Sequence, residues 1–233
     1  MSDPVSGDSA AGDRVVGRPH FGERLDAALA ARGPLCLGID PHPGILADWG
    51  LTDDAAGLRD FSLRVVEACA GAVAAVKPQS AFYERHGSAG VAVLEETLAA
   101  ARDAGVLAIL DVKRGDIGST MAGYAQAWLA VGAPLEADAL TVAAYQGTGS
   151  LDAAFAVATA AGKGLFVLAA TSNPEAAVIQ SARIADGSGD TVASRILAEV
   201  QGRSAAIASP ARQTGTGGNT GHAGGLGPFG GVV

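Results

Sequence analysis

Short, continuously apolar runs alternate with helical segments along the middle of this sequence, and this alternation constrains the fold more than any other feature. Five runs are predicted to be strands, namely 35–40, 73–77, 106–112, 137–143 and 164–170. Strands that are apolar throughout are buried on both faces, which is typical of parallel strands covered by helices. The sequence therefore predicts an α/β fold assembled from βα units.

The segments around these strands have helical periodicity and helix-start signals. Helices are predicted over 21–32, about 54–70, 88–105 with Ser88 as N-cap, a segment ending at 131, 150–161, and a region near 176–200. Before them, residues 1–18 are rich in Ser, Gly, Asp and Pro, which predicts a mobile N-terminal arm.

Polar residues end nearly every predicted strand. They are Asp40, Lys77, Asp111 with Lys113, Thr141, and Thr171 with Ser172. A doubly wound sheet, the competing topology, usually gathers its ligand groups at one switch point. Polar groups converging from successive strand ends are instead typical of a TIM (β/α)8 barrel, where the chemistry lies at the carboxyl ends of the strands.

Asp111, Lys113 and Asp116 form the charged group that we expect to carry the chemistry. Residues two apart in a strand point to the same face, so Asp111 and Lys113 should project side by side with backbones about 7 Å apart. Asp116 follows in the turn before the next helix. A surface ion pair with Asp116 as a helix N-cap is the alternative. The apolar run 106–110 before the motif favours a polar site at a buried strand end.

We expect residues 19–233 to form one barrel domain that is incomplete at its C-terminus. A Gly-rich segment, 202–227, is predicted to be a flexible loop, and 230–233 resembles the start of a sixth strand. Five strands and the start of a sixth cannot close an eight-stranded barrel. The sequence thus predicts a barrel truncated after the start of the sixth strand.

Composition limits the partners. A net charge of −8 argues against nucleic acid as the main partner, because phosphate binding needs a clustered positive field. No secretory signal is visible, and no apolar run approaches the ~20 residues of a membrane span, so we expect a cytoplasmic protein without a membrane partner.

Cys36 and Cys69 are predicted to be small core residues. His42 and His86 are expected to have polar roles in loops, and no metal site is predicted.

Four motifs in register resemble those of orotidine 5'-phosphate decarboxylase, in its longer bacterial (type 2) branch. They are LGIDPH (37–42), VKPQSAFYE (76–84), LDVKRGD (110–116) and AATSNP (169–174). The resemblance runs from about Phe21 to Val200. It implies a cofactor-free enzyme that converts orotidine 5'-phosphate to UMP and CO2, the last step of de novo pyrimidine nucleotide synthesis, and a homodimer with shared active sites.

The resemblance also implies roles for individual residues. Lys113 would deliver a proton to C6 of the pyrimidine ring, Asp111 would face the substrate carboxylate, and Asp116 would be lent to the partner's site. It also implies substrate-binding roles for Asp40 and Lys77 at the ribose, for Ser172 at the pyrimidine, and for Ile117 and Thr120, which are lent like Asp116. Thr141 is a further substrate-binding candidate because of its place at a strand end. The phosphate-gripping groups of the family lie on two further strands, which this sequence lacks after Val233.

Three alternatives stay open. The first is an Mg²⁺-dependent sugar-phosphate decarboxylase or hexulose-phosphate synthase with the same DxKxxD motif; such relatives carry an acidic metal ligand where this chain has Lys77. The second is a Schiff-base aldolase, whose lysine must be neutral, whereas Asp111 and Asp116 favour a charged Lys113. The third is an inactive or poorly soluble truncated form.

Overall fold

The computed structural model describes residues 19–207 and 225–233. Six strands form one parallel sheet in chain order, each pairing with the next. They are β1 (Cys36–Ile39), β2 (Ala75–Pro78), β3 (Leu107–Arg114), β4 (Ala139–Ala143), β5 (Gly164–Leu168) and β6 (Phe229–Val232). Sequential parallel order with intervening helices is the arrangement of a (β/α) barrel, so the predicted α/β class and barrel-type fold are confirmed.

Helices connect the strands. They are α1 (Phe21–Arg32), α2 (Pro43–Asp48), α3 (Ala55–Cys69), α4 (Ser80–Glu84), α5 (Gly87–Asp103), α6 (Gly118–Leu129), α7 (Asp152–Ala161), α8 (Ala177–Gln180) and α9 (Val192–Ile207), with 3-10 turns at Thr148–Leu151 and Pro174–Ala176. Local capping explains several starts. Asp54, for example, accepts a hydrogen bond from the backbone N–H of Gly57 at 2.9 Å, so α3 begins at the next residue.

The sheet separates two apolar layers. The large outer layer lies between the strands and the helices, and includes the fully buried Leu110, Leu140 and Leu165. The small inner layer is centred on Phe21, whose ring meets Phe166 edge-on at 5.9 Å. These contacts place α1 across the amino ends of β4 and β5, opposite the strand ends that carry the polar residues.

A buried ionic network stabilises the amino end of the sheet. The Lys163 ammonium, with a side chain only 2% exposed, donates to Glu136 at 2.6 Å. Arg24 donates to Asp138 at 2.5 Å and to the carbonyl of Gly162 at 3.2 Å, and so ties α1 to the turn before β5. Burial would raise the pKa of Asp138, but the Arg24 and Lys163 charges outweigh it and hold that pKa below its ordinary value.

Several predicted boundaries are wrong. Ser88 lies inside α5, for which His86 is the N-cap residue. The region near 176–200 is not one helix, because α8 ends at Gln180 and α9 begins only at Val192. Helix α9 continues to Ile207, so residues 202–207 of the predicted Gly-rich loop are helical.

The remaining predictions on the chain's organisation have mixed outcomes. The sixth strand is confirmed as β6, paired with β5. The predicted arm 1–18 and the part of the Gly-rich loop at 208–224 lie outside the described residues.

Cys69 is buried as predicted, whereas Cys36 is exposed because it lies on β1 at an edge of the described sheet; neither forms a disulfide. No helix in the described ranges is long and apolar enough to cross a membrane.

Candidate active site

The carboxyl ends of three neighbouring strands bring four of the predicted site residues together. Lys77 lies near the end of β2, Asp111 and Lys113 lie in β3, and Thr141 lies in β4. Their side chains form one hydrogen-bonded cluster around the Asp111 carboxylate. Neighbouring parallel strands end at the same edge of a sheet, which explains why residues so distant in sequence meet here.

Asp111 is the centre of the cluster and only 6% of it is exposed. Its Oδ1 accepts hydrogen bonds from the Lys113 ammonium at 2.6 Å and from the Thr141 hydroxyl at 2.7 Å. Its Oδ2 accepts from the Lys77 ammonium at 2.9 Å and from the Gln79 amide at 3.1 Å. Four donors therefore surround one carboxylate, two of them cations.

The pKa of Asp111 reflects two opposing effects. Burial disfavours the charged form and would raise the pKa, while the hydrogen bonds from Lys113, Thr141 and Lys77 favour the carboxylate. The hydrogen bonds prevail, so the pKa of Asp111 lies below its ordinary value. The cluster thus holds a carboxylate that stays ionised near neutral pH despite its burial.

Lys113 has an unusual backbone. Its φ of 49° is the only positive φ of a non-glycine residue in the described ranges, and the pairing of β3 with β4 shifts register between Leu110 and Arg114. Left-handed backbone costs an L-residue roughly 1–2 kcal/mol. The Lys113 side chain is 44% exposed, so Lys113 contacts Asp111 and is also accessible from solvent.

Arg114 and Gly115, which follow Lys113, make close contacts with neighbouring segments. Arg114 donates to the carboxylate of Glu84 at 2.6 Å and to the carbonyl of Val112 at 2.8 Å. Gly115 packs so closely on the carbonyl oxygen of Ala143 that a Cβ there would overlap it. Only glycine fits, so β3 and β4 remain in contact beyond the point where their register shifts.

Asp116, Ile117 and Thr120 lie at or just before the start of α6 and are not part of the hydrogen-bonded Asp111 cluster. Asp116 accepts a hydrogen bond from the backbone N–H of Ile117 at 2.8 Å, and Ile117 is 61% exposed. Thr120 is also exposed. Within the described part of the chain, none of the three is hydrogen-bonded to Lys77, Asp111 or Lys113.

Asp40 and Ser172 flank the cluster on loops. Asp40 directly follows β1, and its Oδ2 covers Gly38, where a Cβ would lie 2.6 Å from that oxygen. Ser172 is exposed in the loop after β5, which is braced by hydrogen bonds between Thr171 and Gln180 at 2.7 and 3.0 Å. Among the described residues, neither Asp40 nor Ser172 hydrogen-bonds to Asp111.

Gln79 is the member of the cluster that sequence reasoning missed. The predicted second strand ended at Lys77, but β2 extends to Pro78 and Gln79 forms a further bridge with Asp111. Gln79 lies two residues after Lys77, the spacing that places extended residues on one face. That spacing could have identified it.

The two histidines near the strand ends begin helices. His42 accepts the backbone N–H of Ile45 at its Nδ1, at 3.2 Å, and so caps α2; His86 precedes α5. Across residues 19–207 and 225–233, no three His, Cys, Asp or Glu side chains are grouped as metal ligands.

Comparison with known proteins shows that this chain is similar to one family of enzymes. The model of the orotidine 5'-phosphate decarboxylase / HUMPS family matches residues 33–219. A Salinispora arenicola protein named orotidine 5'-phosphate decarboxylase is 59% identical over 180 residues, 77% of this chain and 64% of the relative. One of the same name from a Nocardioides species is 54% identical over 215 residues, 91% of this chain and 72% of the relative. The chain thus spans somewhat less than two thirds of the Salinispora relative's length.

The chain is also similar in structure to solved proteins that are described as this decarboxylase. A Streptomyces avermitilis protein, solved as a candidate orotidine 5'-phosphate decarboxylase, is 53% identical, with a TM-score of 0.82 over 93% of this chain and 70% of that one. The OMP decarboxylase of Leishmania donovani is 30% identical, with a TM-score of 0.66 over 78% of this chain and 65% of that one.

Proposed function

Because the chain belongs to the orotidine 5'-phosphate decarboxylase / HUMPS family, we propose that it decarboxylates orotidine 5'-phosphate to UMP and CO2, the last step of de novo pyrimidine nucleotide synthesis, in the cytoplasm. The observation that carries the proposal is the Asp111 carboxylate held between the ammonium groups of Lys113 and Lys77, at 2.6 and 2.9 Å. This arrangement supplies a proton donor beside a fixed negative charge.

The reaction proceeds in two steps at C6 of the pyrimidine ring. The bond from C6 to the carboxylate breaks, CO2 leaves, and the electron pair stays on C6 as a carbanion. The Lys113 ammonium then gives a proton to C6 and becomes a neutral amine, which regains a proton from solvent. Asp111 faces the departing carboxylate, so loss of CO2 relieves the repulsion between the two negative charges.

Electrostatics alone does not account for the catalysis. At about 4 Å and an effective dielectric constant near 20, one ion pair is worth roughly 4 kcal/mol, or about a thousandfold in rate. Enzymes commonly exceed this, so preorganised charges and binding energy from the rest of the nucleotide supply the remainder. Asp40 and Lys77 bind the ribose hydroxyls and Ser172 contacts the pyrimidine.

We propose that the active enzyme is a homodimer in which Asp116, Ile117 and Thr120 enter the partner's site. Their position supports this: all three lie at or just before the start of α6, none is hydrogen-bonded to Lys77, Asp111 or Lys113 among the described residues, and Ile117 leaves an apolar side chain largely exposed. A mostly exposed isoleucine beside two polar residues fits a contact surface that another subunit covers.

An Mg²⁺-dependent sugar-phosphate enzyme of the same family is the second candidate. Such an enzyme needs carboxylate oxygens that are free to bind the metal. Here both oxygens of Asp111 accept hydrogen bonds from ammonium groups, and Lys77 stands where those relatives carry an acid. A cation at this position would be repelled by two positive charges, so the cluster favours the metal-independent decarboxylase.

The test is the loss of ultraviolet absorbance when the protein is mixed with orotidine 5'-phosphate. We expect absorbance to fall with the unsubstituted chain and not with Lys113→Ala. If absorbance stays constant while a sugar phosphate is turned over with Mg²⁺, the second candidate is correct. Borohydride trapping of an enzyme–substrate adduct would instead identify a Schiff-base aldolase.

A further inference from the structure

The hydroxyl of Thr141 connects the two central residues of the site. It donates its proton to Oδ1 of Asp111 at 2.7 Å and accepts the backbone N–H of Lys113 at 3.0 Å. Thr141 is buried in β4, so neither bond competes freely with water. One oxygen atom therefore links the carboxylate of Asp111 to the main chain of Lys113.

The bond to Lys113 lies where the backbone needs support. Lys113 has a left-handed φ of 49°, and the regular ladder between β3 and β4 is interrupted there. Strained backbone persists only where its surroundings over-determine it. The Thr141 hydroxyl, and the close packing of Gly115 on Ala143 two residues later, hold this segment against β4.

The chemistry of a hydroxyl limits what else Thr141 can do. A threonine has one O–H to donate, and that proton is committed to Asp111. It has none left to give to a nucleotide while the bond to Asp111 is intact. Thr141 lies between two site residues, which fits a role in aligning them. The substrate contact predicted from its place at a strand end fits these bonds less well.

We infer that Thr141 is a positioning residue that holds the Lys113 ammonium and the Asp111 carboxylate in the reactive arrangement, an inference that rests on the proposed decarboxylation. The hydroxyl orients Oδ1, to which Lys113 donates at 2.6 Å, and anchors the backbone from which the same lysine projects. Removing it frees both ends of this pair, and turnover falls while nucleotide binding is maintained.

The experiment compares Thr141→Val, which has nearly the same shape but no hydroxyl, with Thr141→Ser, which keeps it. Thr97→Val is the matched control, because Thr97 is also a buried threonine and its hydroxyl donates to the Val93 carbonyl of its own helix, α5. We expect Thr141→Val to lower kcat about 10- to 100-fold. Its Kd for UMP should stay near that of the unsubstituted chain, with Thr141→Ser largely active and Thr97→Val fully so.

A second readout does not depend on catalysis. The chain has three lysines, at 77, 113 and 163, so trace acetylation with acetic anhydride followed by peptide mass spectrometry reports each one. We expect Thr141→Val to raise the acetylation rate of Lys113 several-fold while leaving Lys163, at the opposite end of the sheet, unchanged. If Thr141→Val does not fold, Thr141→Cys, with its weaker hydrogen-bonding group, takes its place in both measurements.

The outcomes separate the two proposals. If the unsubstituted chain does not decarboxylate the nucleotide, the proposed function fails, and the acetylation of Lys113 still decides whether Thr141 positions it. The inference is overturned if kcat and Lys113 acetylation in Thr141→Val both stay within about twofold of the unsubstituted chain. It is also overturned if Thr97→Val loses as much kcat as Thr141→Val, or if kcat is intact and only UMP binding weakens.

Discussion

The Lys113 ammonium donates to Oδ1 of Asp111 at 2.6 Å, and the two residues are separated by a single residue of the same strand. Two-residue spacing alone brings side chains to one face. Here Lys113 also has a left-handed backbone and lies in the segment where the register between β3 and β4 shifts. These local features of the main chain fix where the Lys113 side chain meets Asp111. The acid–ammonium pair is thus preorganised by the main chain, which is the condition under which fixed charges are most effective in catalysis.

Replacing Lys113 with alanine should abolish decarboxylation and leave the fold intact. The side chain is nearly half exposed, so it contributes little packing, whereas loss of a proton donor typically costs about 10²–10⁴-fold. The measurement is absorbance loss with orotidine 5'-phosphate, alongside circular dichroism and thermal unfolding. Substantial activity in a folded Lys113→Ala protein would end its assignment as proton donor.

Much of this site could be predicted from the sequence, because its residues follow apolar runs. Lys77, Asp111, Lys113 and Thr141 were all identified as strand-end residues, and parallel strands bring such ends to one edge. The hydrogen bond from Thr141 to Asp111 could not be predicted, because it depends on the register between β3 and β4 and on the irregularity after Leu110.

The errors have physical causes as well. Helices α2 and α4 have six and five residues, too few to show a helical period, so both were missed. The left-handed conformation of Lys113 leaves no trace in composition, because it occurs at a lysine rather than at a glycine. The run around Cys36 is apolar, but its strand lies at an edge of the described sheet, where apolar character does not guarantee burial.

The depressed pKa of Asp111 makes a prediction for stability against pH. A carboxyl whose pKa is lower folded than unfolded stabilises the fold above its unfolded pKa of about 3.9, and this contribution is lost as the pH falls through the folded value. We therefore expect the difference in unfolding free energy between the unsubstituted chain and Asp111→Asn to shrink as the pH falls below about 4.

Urea unfolding at a series of pH values measures this difference. Asp48→Asn is measured alongside as a control for the substitution itself, because Asp48 is exposed at the end of α2. A gap for Asp111→Asn that widens on acidification would contradict the stated direction.

The ion pair between Lys163 and Glu136 predicts a large structural effect far from the chemistry. Removing one partner of a buried pair costs about 3–5 kcal/mol, because the other charge is left buried. Lys163→Met should destabilise the fold by about this amount, and Arg59→Met, which breaks the exposed pair with Glu96, by only about 0–1 kcal/mol. Chemical denaturation measures both, and equal small losses would show that the buried pair contributes little.

Activity should survive exhaustive chelation. Lys77 and Lys113 occupy both oxygens of Asp111, so the cluster offers no free carboxylate for a divalent cation. The assay compares decarboxylation before and after treatment with EDTA and dialysis, and then with added Mg²⁺. Loss of activity on chelation that Mg²⁺ restores would favour the metal-dependent relatives.

The shared-site homodimer predicts complementation between inactive variants. In a heterodimer of Lys113→Ala and Asp116→Ala subunits, one site receives Lys113 from the second subunit and Asp116 from the first, while the other site lacks both. With random pairing in a two-fold dimer, about a quarter of the sites should be complete. Decarboxylation after mixing, measured against each variant alone, checks this.

The control for complementation is a mixture of Lys113→Ala and Asp111→Ala. These two residues hydrogen-bond within one subunit, so no heterodimer of these variants contains a complete site and mixing should restore nothing. Mass spectrometry of the intact assemblies establishes that heterodimers form. If they form and Lys113→Ala with Asp116→Ala remains inactive, Asp116 serves its own subunit, and the exposed start of α6 has another role.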